Sequence, residues 1–293
     1  MDHHGPACFA KRVRDILLAL VIINGGAIFF LARDIQPGDV YTIRLIAGIF
    51  LLLFVCLHGW FRYGWPAMVM FFCITAAITW SVESISIATG FPFGSFHYSN
   101  TLGEKIGEVP LMILPAYFFN GYLAWTMAGL LTGGEGPALN RKQLVLVPAL
   151  AALFMVFWNM SFEPVMSTIE GHWTWAGGIW HGVPITNFAG WFLTSLLFFL
   201  GFALFFKKAG HQFNATRENP LDPSHWYLFP AMYAVQCMPG LLHAIFRSGH
   251  GEIYLSVAMA TALTMIPAVT VTFIVINRRF RQMCRRKNYA SKN

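Results

Sequence analysis

The chain is poor in charge. Asp, Glu, Lys and Arg together make up only 11% of its 293 residues, whereas a soluble globular domain carries about 25%. Hydrophobic residues account for 56%, and the mean hydropathy is +0.55. This composition excludes an ordinary soluble domain and predicts an all-α fold, a polytopic helical bundle integral to a membrane.

Paired cysteines and several common motifs are also missing. The five cysteines show no paired spacing, which excludes a disulfide framework or a cysteine metal knuckle; they are Cys8, Cys56, Cys73, Cys237 and Cys284. The chain has no Gly-rich phosphate loop, no nucleotide fingerprint, no nucleophile elbow and no His-x-x-x-His or Glu-x-x-His box. We therefore expect neither a metal site nor a cofactor.

Apolar runs of spanning length recur along the whole chain. They predict about eight transmembrane helices, with seven as the alternative, in a single domain covering residues 1–293. The first run is longer than the apolar segment of a secretion signal, so we interpret it as a membrane anchor. The runs cover residues 15–33, 42–61, 66–88, 109–131, 143–162, 183–206, 226–246 and 252–276.

The basic residues are distributed unevenly between the predicted loops. If the N-terminus is cytoplasmic, 16 of the 20 Lys and Arg residues fall on the cytoplasmic side, as the positive-inside rule requires. Both termini are therefore predicted to be cytoplasmic, and loops 90–108 and 163–182 to lie outside. The basic tail 278–293 is interpreted as an orientation signal that contacts membrane lipid and not nucleic acid. We expect an integral protein of a bacterial inner (cytoplasmic) membrane.

Glu83 lies within the apolar run 65–88. A charged side chain at the centre of a membrane helix costs about 2.5–3.5 kcal/mol on insertion scales, and such residues usually serve a function. Removal from water also favours the neutral form of a carboxylic acid, which can then act as a general acid. The alternative interpretation is a structural carboxyl group that is hydrogen-bonded to a neighbouring helix.

Glu163 is a second acidic residue, placed just before Pro164 at the outer end of the fifth predicted helix. Such a carboxylate is often only solvated, but its predicted depth and membrane side match those of Glu83. Asn187, near the outer end of the sixth helix, is a candidate to orient a carboxylate or a water molecule. His97 adds a proton carrier on the same side, so these four residues are the candidate catalytic groups.

Aromatic residues accompany these acids in the sequence. The candidate substrate-binding residues are Phe93, Tyr98, Trp158, His172, Trp173 and Trp175. Two carboxyl groups near one membrane face, lined by aromatic and amide groups, suit cofactor-free acid–base chemistry on a lipophilic substrate that enters from the bilayer. Aromatic faces can stabilise a carbocation in such a site. Trp191 is interpreted as part of an interfacial belt, and Arg247 is expected to pair with Glu252.

Two motif blocks occupy residues 83–191. The first is Glu83, then Thr89-Gly90-x-Pro92-Phe93-Gly94-x-x-x-Tyr98 and Gly107-x-Val109-Pro110; the second is Gly171-His172-Trp173-x-Trp175, then Gly182-Val183-Pro184-x-x-Asn187-Phe188-x-Gly190-Trp191. In this order they resemble the signatures of the membrane carotenoid hydratases of the CruF and bisanhydrobacterioruberin hydratase type. One position departs from the family pattern, which usually has Asp before the proline where this chain has Glu163.

The resemblance implies addition of water across the terminal C1,C2 double bond of an acyclic carotenoid end group, giving a tertiary 1-hydroxy product. In the mechanism that we hypothesise, Glu83 or Glu163 protonates C2, with Glu83 favoured because it lies deeper. The other carboxylate, with Asn187 or His97, positions and deprotonates the water. Two alternatives are a polyprenyl-lipid isomerase or cyclase that uses the same protonation step, and a proton-coupled transporter of a lipophile. The identity of the carotenoid and the oligomeric state stay open.

Overall fold

Eight long helices dominate the structure. The computed structural model describes residues 6–33, 37–134, 139–214 and 223–290. Each predicted apolar run overlaps one helix of these ranges, which confirms the all-α membrane bundle. The helices are α1 (Pro6–Leu31), α2 (Pro37–Tyr63), α3 (Trp65–Thr89), α4 (Ile113–Thr132), α5 (Gln143–Met160), α6 (Ile185–Asn214), α7 (Leu228–Phe246) and α8 (Gly251–Ala290).

One helix, α4, differs from the others in composition. Within the described ranges, seven helices are long and apolar enough to cross a membrane, and α4 is not among them. Thirteen of its 20 residues are buried, because α4 packs against α2, α3, α5, α7 and α8. A helix enclosed by other helices needs few lipid-facing side chains, so it accommodates Tyr117, Asn120 and Trp125.

Several helices extend beyond the predicted runs, and α1 and α8 extend furthest. α1 begins at Pro6, and α8 continues to Ala290. The predicted basic tail 278–293 is therefore helical as far as Ala290, while residues 291–293 lie outside the described residues. The side of the membrane on which the termini lie stays a prediction.

The centre of the bundle is aromatic. Phe71 of α3 and Phe202 of α6 lie with their ring centroids 4.6 Å apart, and the ring of Tyr122 on α4 lies 6.3 Å from that of Phe71. All three side chains are almost completely buried. This core fixes α3, α4 and α6 against one another, and these helices carry Glu83, Tyr117 and Asn187.

Short β-strands connect the two loops that the sequence predicts to lie on the same side. β1 pairs antiparallel with β4, so that Tyr98 lies opposite Trp173 and the two loops meet at one end of the bundle. β2 and β3 form a second antiparallel pair within the first loop. The strands are β1 (Phe96–Tyr98), β2 (Lys105–Ile106), β3 (Val109–Pro110) and β4 (Trp173–Trp175).

Candidate active site

A cavity of about 370 Å³ lies beside the β1–β4 pair, between the helices. Apolar and aromatic side chains form most of its wall, to which α1, α2, α4, α6 and α7 contribute. Glu83 and Glu163 both line this cavity, and they are only 3% and 1% exposed. Two carboxyl groups from distant parts of the chain therefore share one apolar chamber.

Glu83 lies on the last two turns of α3. Gly90 ends the helix in the left-handed conformation, with φ of 79°, and its N–H donates to the carbonyl oxygen of Ser86. This conformation suits glycine because it has no Cβ. The hydroxyl of Tyr98 donates to Oε2 of Glu83 at 3.1 Å, and the hydroxyl of Tyr117 donates to Oε1 at 3.2 Å. Two phenols therefore hold the Glu83 carboxyl group.

Glu163 lies in a break between two helical segments. α5 ends at Met160, and a π-helical turn follows at Val165–Ile169. Pro164, which lacks a backbone N–H, lies between them, as expected for a residue that interrupts a helix. Irregular turns of this type are frequent at functional sites. The break turns the Glu163 side chain into the cavity.

Three N–H groups donate to the Glu163 carboxyl group. The indoles of Trp173 and Trp175 donate to Oε1 at 2.6 Å and 3.0 Å. The side-chain amide of Asn159 donates to Oε2 at 2.7 Å. Asn187 of α6 donates in turn to Oδ1 of Asn159 at 3.0 Å. Asn159 thus links Glu163 to the amide that the sequence predicts to orient a carboxylate.

Strand β1 presents its side chains alternately to the cavity and to the outside, as the two-residue period of a strand requires. Phe96 and Tyr98 line the cavity, whereas His97 between them is exposed and does not line it. Burial and the neighbouring Glu83 carboxyl group raise the pKa of Tyr98 well above its usual value. Its phenol therefore stays protonated and remains a hydrogen-bond donor to Glu83.

Stacked rings form one wall of the cavity. Tyr117 and Trp191 lie nearly parallel, with ring centroids 4.3 Å apart and an angle of 5° between the planes. Trp158 meets Trp191 edge to face at 5.7 Å. Nearby, Phe93 packs against Gly190 so closely that a Cβ at this position would overlap the Phe93 ring. These contacts fix the rings beside the two carboxyl groups.

The structure brings most of the predicted site residues together. Eight of the ten predicted site residues line this cavity, namely Glu83, Phe93, Tyr98, Trp158, Glu163, Trp173, Trp175 and Asn187. His97 and His172 do not line it, so we remove both from the candidate site. His97 is excluded by strand alternation, and the His172 side chain is held by Glu170 and Thr101 instead. The interpretation of Trp191 as a belt residue is wrong, because its ring lines the cavity.

An ionic cluster is centred on Glu170, at the end of the π-helical turn. Its carboxyl group contacts Arg44 of α2 at 2.9 Å, His172 at 3.0 Å and Arg247, after α7, at 3.4 Å. Arg247 therefore pairs with Glu170, and the expected pairing with Glu252 is wrong. Burial raises the pKa of Glu170, but the hydrogen bond from His172 and the charge of Arg44 outweigh it and lower the pKa to about 2.

Sequence reasoning missed two residues that touch the carboxyl groups or their partners. Asn159 precedes Glu163 by four positions, the spacing at which helical side chains meet, so this contact had a local signal. Tyr117 had none, because only the packing of α4 against α3 brings it to Glu83.

The two carboxyl groups differ in the chemistry of their partners. The phenols around Glu83 can donate or accept a hydrogen bond, whereas the indole N–H groups of Trp173 and Trp175 at Glu163 can only donate. The site can therefore hold one carboxyl group protonated and the other ionised.

In the described ranges, no three His, Cys, Asp or Glu side chains are grouped in a way that suits a metal ion.

Comparison with known proteins adds a family and one relative. A family model described as carotenoid biosynthesis protein matches residues 41–267, which include Glu83, Glu163 and every side chain described above as donating a hydrogen bond to them. The bisanhydrobacterioruberin hydratase of Haloarcula japonica is 31% identical over 134 residues. That alignment covers 45% of this chain and 43% of the relative, so the chain matches less than half of the relative's length. No solved structure matches.

Proposed function

The chain belongs to the carotenoid biosynthesis protein family, and on this basis we propose that it is a carotenoid hydratase. It adds water across the terminal C1,C2 double bond of an acyclic carotenoid that enters from the bilayer of a bacterial cytoplasmic membrane. One observation carries the proposal: two buried carboxyl groups, Glu83 and Glu163, line a single apolar cavity. Hydration needs a proton donor and a proton acceptor, and a lipophilic end group needs an apolar chamber.

Glu83 is the proton donor in this proposal. Its phenolic partners, Tyr98 and Tyr117, accommodate either protonation state because a hydroxyl can donate or accept. The proton passes from Glu83 to C2, the electron pair of the double bond forms the new C2–H bond, and a tertiary cation remains at C1. The rings of Trp158 and Trp191, which line the cavity, stabilise this cation through cation–π interactions.

Glu163 is the proton acceptor. Its three N–H donors keep their hydrogen bonds only to an oxygen that accepts, which favours the ionised form. As a water oxygen bonds to C1, the proton of that water passes to Glu163, while Asn159 and Asn187 hold the carboxylate in place. The proton then returns from Glu163 to Glu83 through water, and the cycle closes without net consumption of acid.

The test is expression in cells that make lycopene, followed by mass analysis of the pigments. We expect a product heavier by one water. Purified protein in ¹⁸O-labelled water should place the label in the hydroxyl group, and deuterated water should place deuterium at C2. The matched variant is Glu83→Gln, which keeps size and shape but carries no acidic proton; we expect a rate lower by about 10²–10⁴-fold.

Two results would overturn the proposal. An isomerised or cyclised product of unchanged mass would indicate a polyprenyl-lipid isomerase or cyclase. Unimpaired hydration by a folded Glu83→Gln variant would remove Glu83 from the chemistry.

A further inference from the structure

The residues that line the cavity differ in exposure from one end to the other. Glu163 and Trp173, at the carboxyl end, are 1% and 8% exposed. Leu45 and Ile49 of α2 are 39% and 47% exposed, and Met112, next to the start of α4, is 41% exposed. The cavity is therefore closed at the carboxyl groups and open where α2 and the start of α4 form its wall.

The open side is one continuous face of α2. Leu45, Gly48, Ile49 and Leu52 all line the cavity, and their spacing of three, four and seven residues places them on the same face of a helix. They lie within Thr42–Tyr63, a segment that is long and apolar enough to span a membrane. The medium outside this face is therefore lipid.

The cavity is small for a carotenoid. Its volume of about 370 Å³ lies at the low end of the range of about 300–1,000 Å³ that encloses drug-sized ligands. A carotenoid is a long, stiff conjugated chain that far exceeds this size. If the reacting double bond lies beside Glu83, most of the chain must lie outside the cavity.

We infer that the cavity opens to the lipid through a portal formed by Leu45, Gly48 and Ile49 on α2 and by Met112 beside α4. The substrate's polyene lies in this portal while one end group occupies the cavity. This inference rests on the proposed function, since it assigns a position to the long chain of the proposed substrate. Gly48 lies on the α2 side of the portal, where the absence of a side chain leaves room for the polyene.

The surroundings of Gly48 make it a suitable probe. A Cβ built at this residue meets no heavy atom within 4 Å, so a side chain introduced at position 48 begins in open space, and a leucine there should obstruct the portal. Gly26 of α1 is equally open, but it is exposed and does not line the cavity. Leucine is the better helix former at both positions, so Gly26→Leu is the matched control.

The experiment compares the wild type, Gly48→Leu and Gly26→Leu, each purified from lycopene-making cells. Bound pigment per protein is measured by visible absorption, and hydration by the amount of hydroxylated product. We expect Gly48→Leu to lose about tenfold or more in both quantities and Gly26→Leu to stay within about twofold of the wild type. Met112→Trp narrows the portal from the other side and should reproduce the loss if Gly48→Leu fails to fold.

The two proposals fail in different ways. If the wild type hydrates lycopene and both Gly48→Leu and Met112→Trp behave like Gly26→Leu, the portal is overturned and the proposed function stands. If the wild type retains pigment without hydrating it, while Gly48→Leu loses the pigment, the portal stands and the proposed function fails.

Discussion

Tyr98 and Trp173 lie opposite each other in the antiparallel β1–β4 pair, and each donates a hydrogen bond to a different buried carboxyl group. Tyr98 donates to Glu83 and Trp173 to Glu163. The two carboxyl groups come from separate helical segments, and this strand pair links their hydrogen-bond partners. A displacement of either loop would alter the surroundings of both acids, which makes the strand pair part of the geometry of the proposed reaction.

The phenols of Tyr98 and Tyr117 should matter for catalysis in equal measure. When Glu83 gives up its proton, its carboxylate gains charge, and each phenol stabilises that charge by a hydrogen bond worth about 1.5–3 kcal/mol. Tyr98→Phe and Tyr117→Phe should therefore each lower the hydration rate by about 10–100-fold while leaving the pigment bound. Product formation and bound pigment, measured on the same preparations, separate the two effects.

Tyr227→Phe is the control for the loss of a phenol. Tyr227 stacks against Phe273 and does not line the cavity, so its hydroxyl should be dispensable. Unchanged rates in both Tyr98→Phe and Tyr117→Phe would mean that Glu83 does not lose its proton in the rate-limiting step.

The helices of the bundle followed from the sequence because spanning apolar runs are long and unambiguous. The exception was α4, which was predicted as a spanning run like the others, although its helix is less apolar and neighbouring helices enclose it. The polar residues of α4, including Asn120, do not by themselves predict that other helices enclose it. A mid-helix amide is also compatible with a lipid-facing helix that pairs with another chain.

The candidate site was predicted in its residue types but not in its arrangement. Glu83 was visible because a carboxyl group in an apolar run is costly. The β1–β4 pair was not predicted, because strands of three residues are too short to show a periodic pattern. Without that pair, no local signal places His97 outside the cavity and Tyr98 inside it.

Glu163 should be sensitive to the length of its side chain. Aspartate would withdraw the carboxylate by one methylene from the indoles of Trp173 and Trp175, which lie 2.6 Å and 3.0 Å from Oε1 of Glu163. We expect Glu163→Asp to lower the rate about tenfold and Glu163→Ala to abolish hydration. The rates are compared at equal amounts of folded protein, and substantial turnover by Glu163→Ala would refute the two-carboxyl mechanism.

His97 and His172 should prove separable from the chemistry. His97 is exposed on the outer face of β1, so His97→Ala should hydrate lycopene within about twofold of the wild type. His172→Ala should instead lower the thermal stability, because it removes the hydrogen bond to Glu170. A loss of activity in His97→Ala, with stability unchanged, would return His97 to the proposed role of positioning the water.

Glu170 should stabilise the fold in a pH-dependent way. Its ionised form contacts Arg44 and Arg247, and its pKa is lowered from 4.5 to about 2. Because the folded protein holds the proton more weakly than the unfolded chain, this stabilisation is fully present above about pH 4.5 and is lost as the pH falls towards 2. Glu170→Gln should remove about 1.5–3 kcal/mol of unfolding free energy at pH 7.

The measurement is the thermal midpoint of wild type and Glu170→Gln in detergent between pH 7 and pH 3. The difference in thermal midpoint between the two proteins should not shrink above about pH 4.5 and should narrow below it, since only the wild type loses the Glu170 charge there. Glu108→Gln is the control, because Glu108 is an exposed carboxylate at the same end of the bundle and should show no gap at any pH. A Glu170→Gln midpoint equal to that of the wild type at pH 7 would mean that the cluster does not hold α2 and α7 to the loop that carries Trp173.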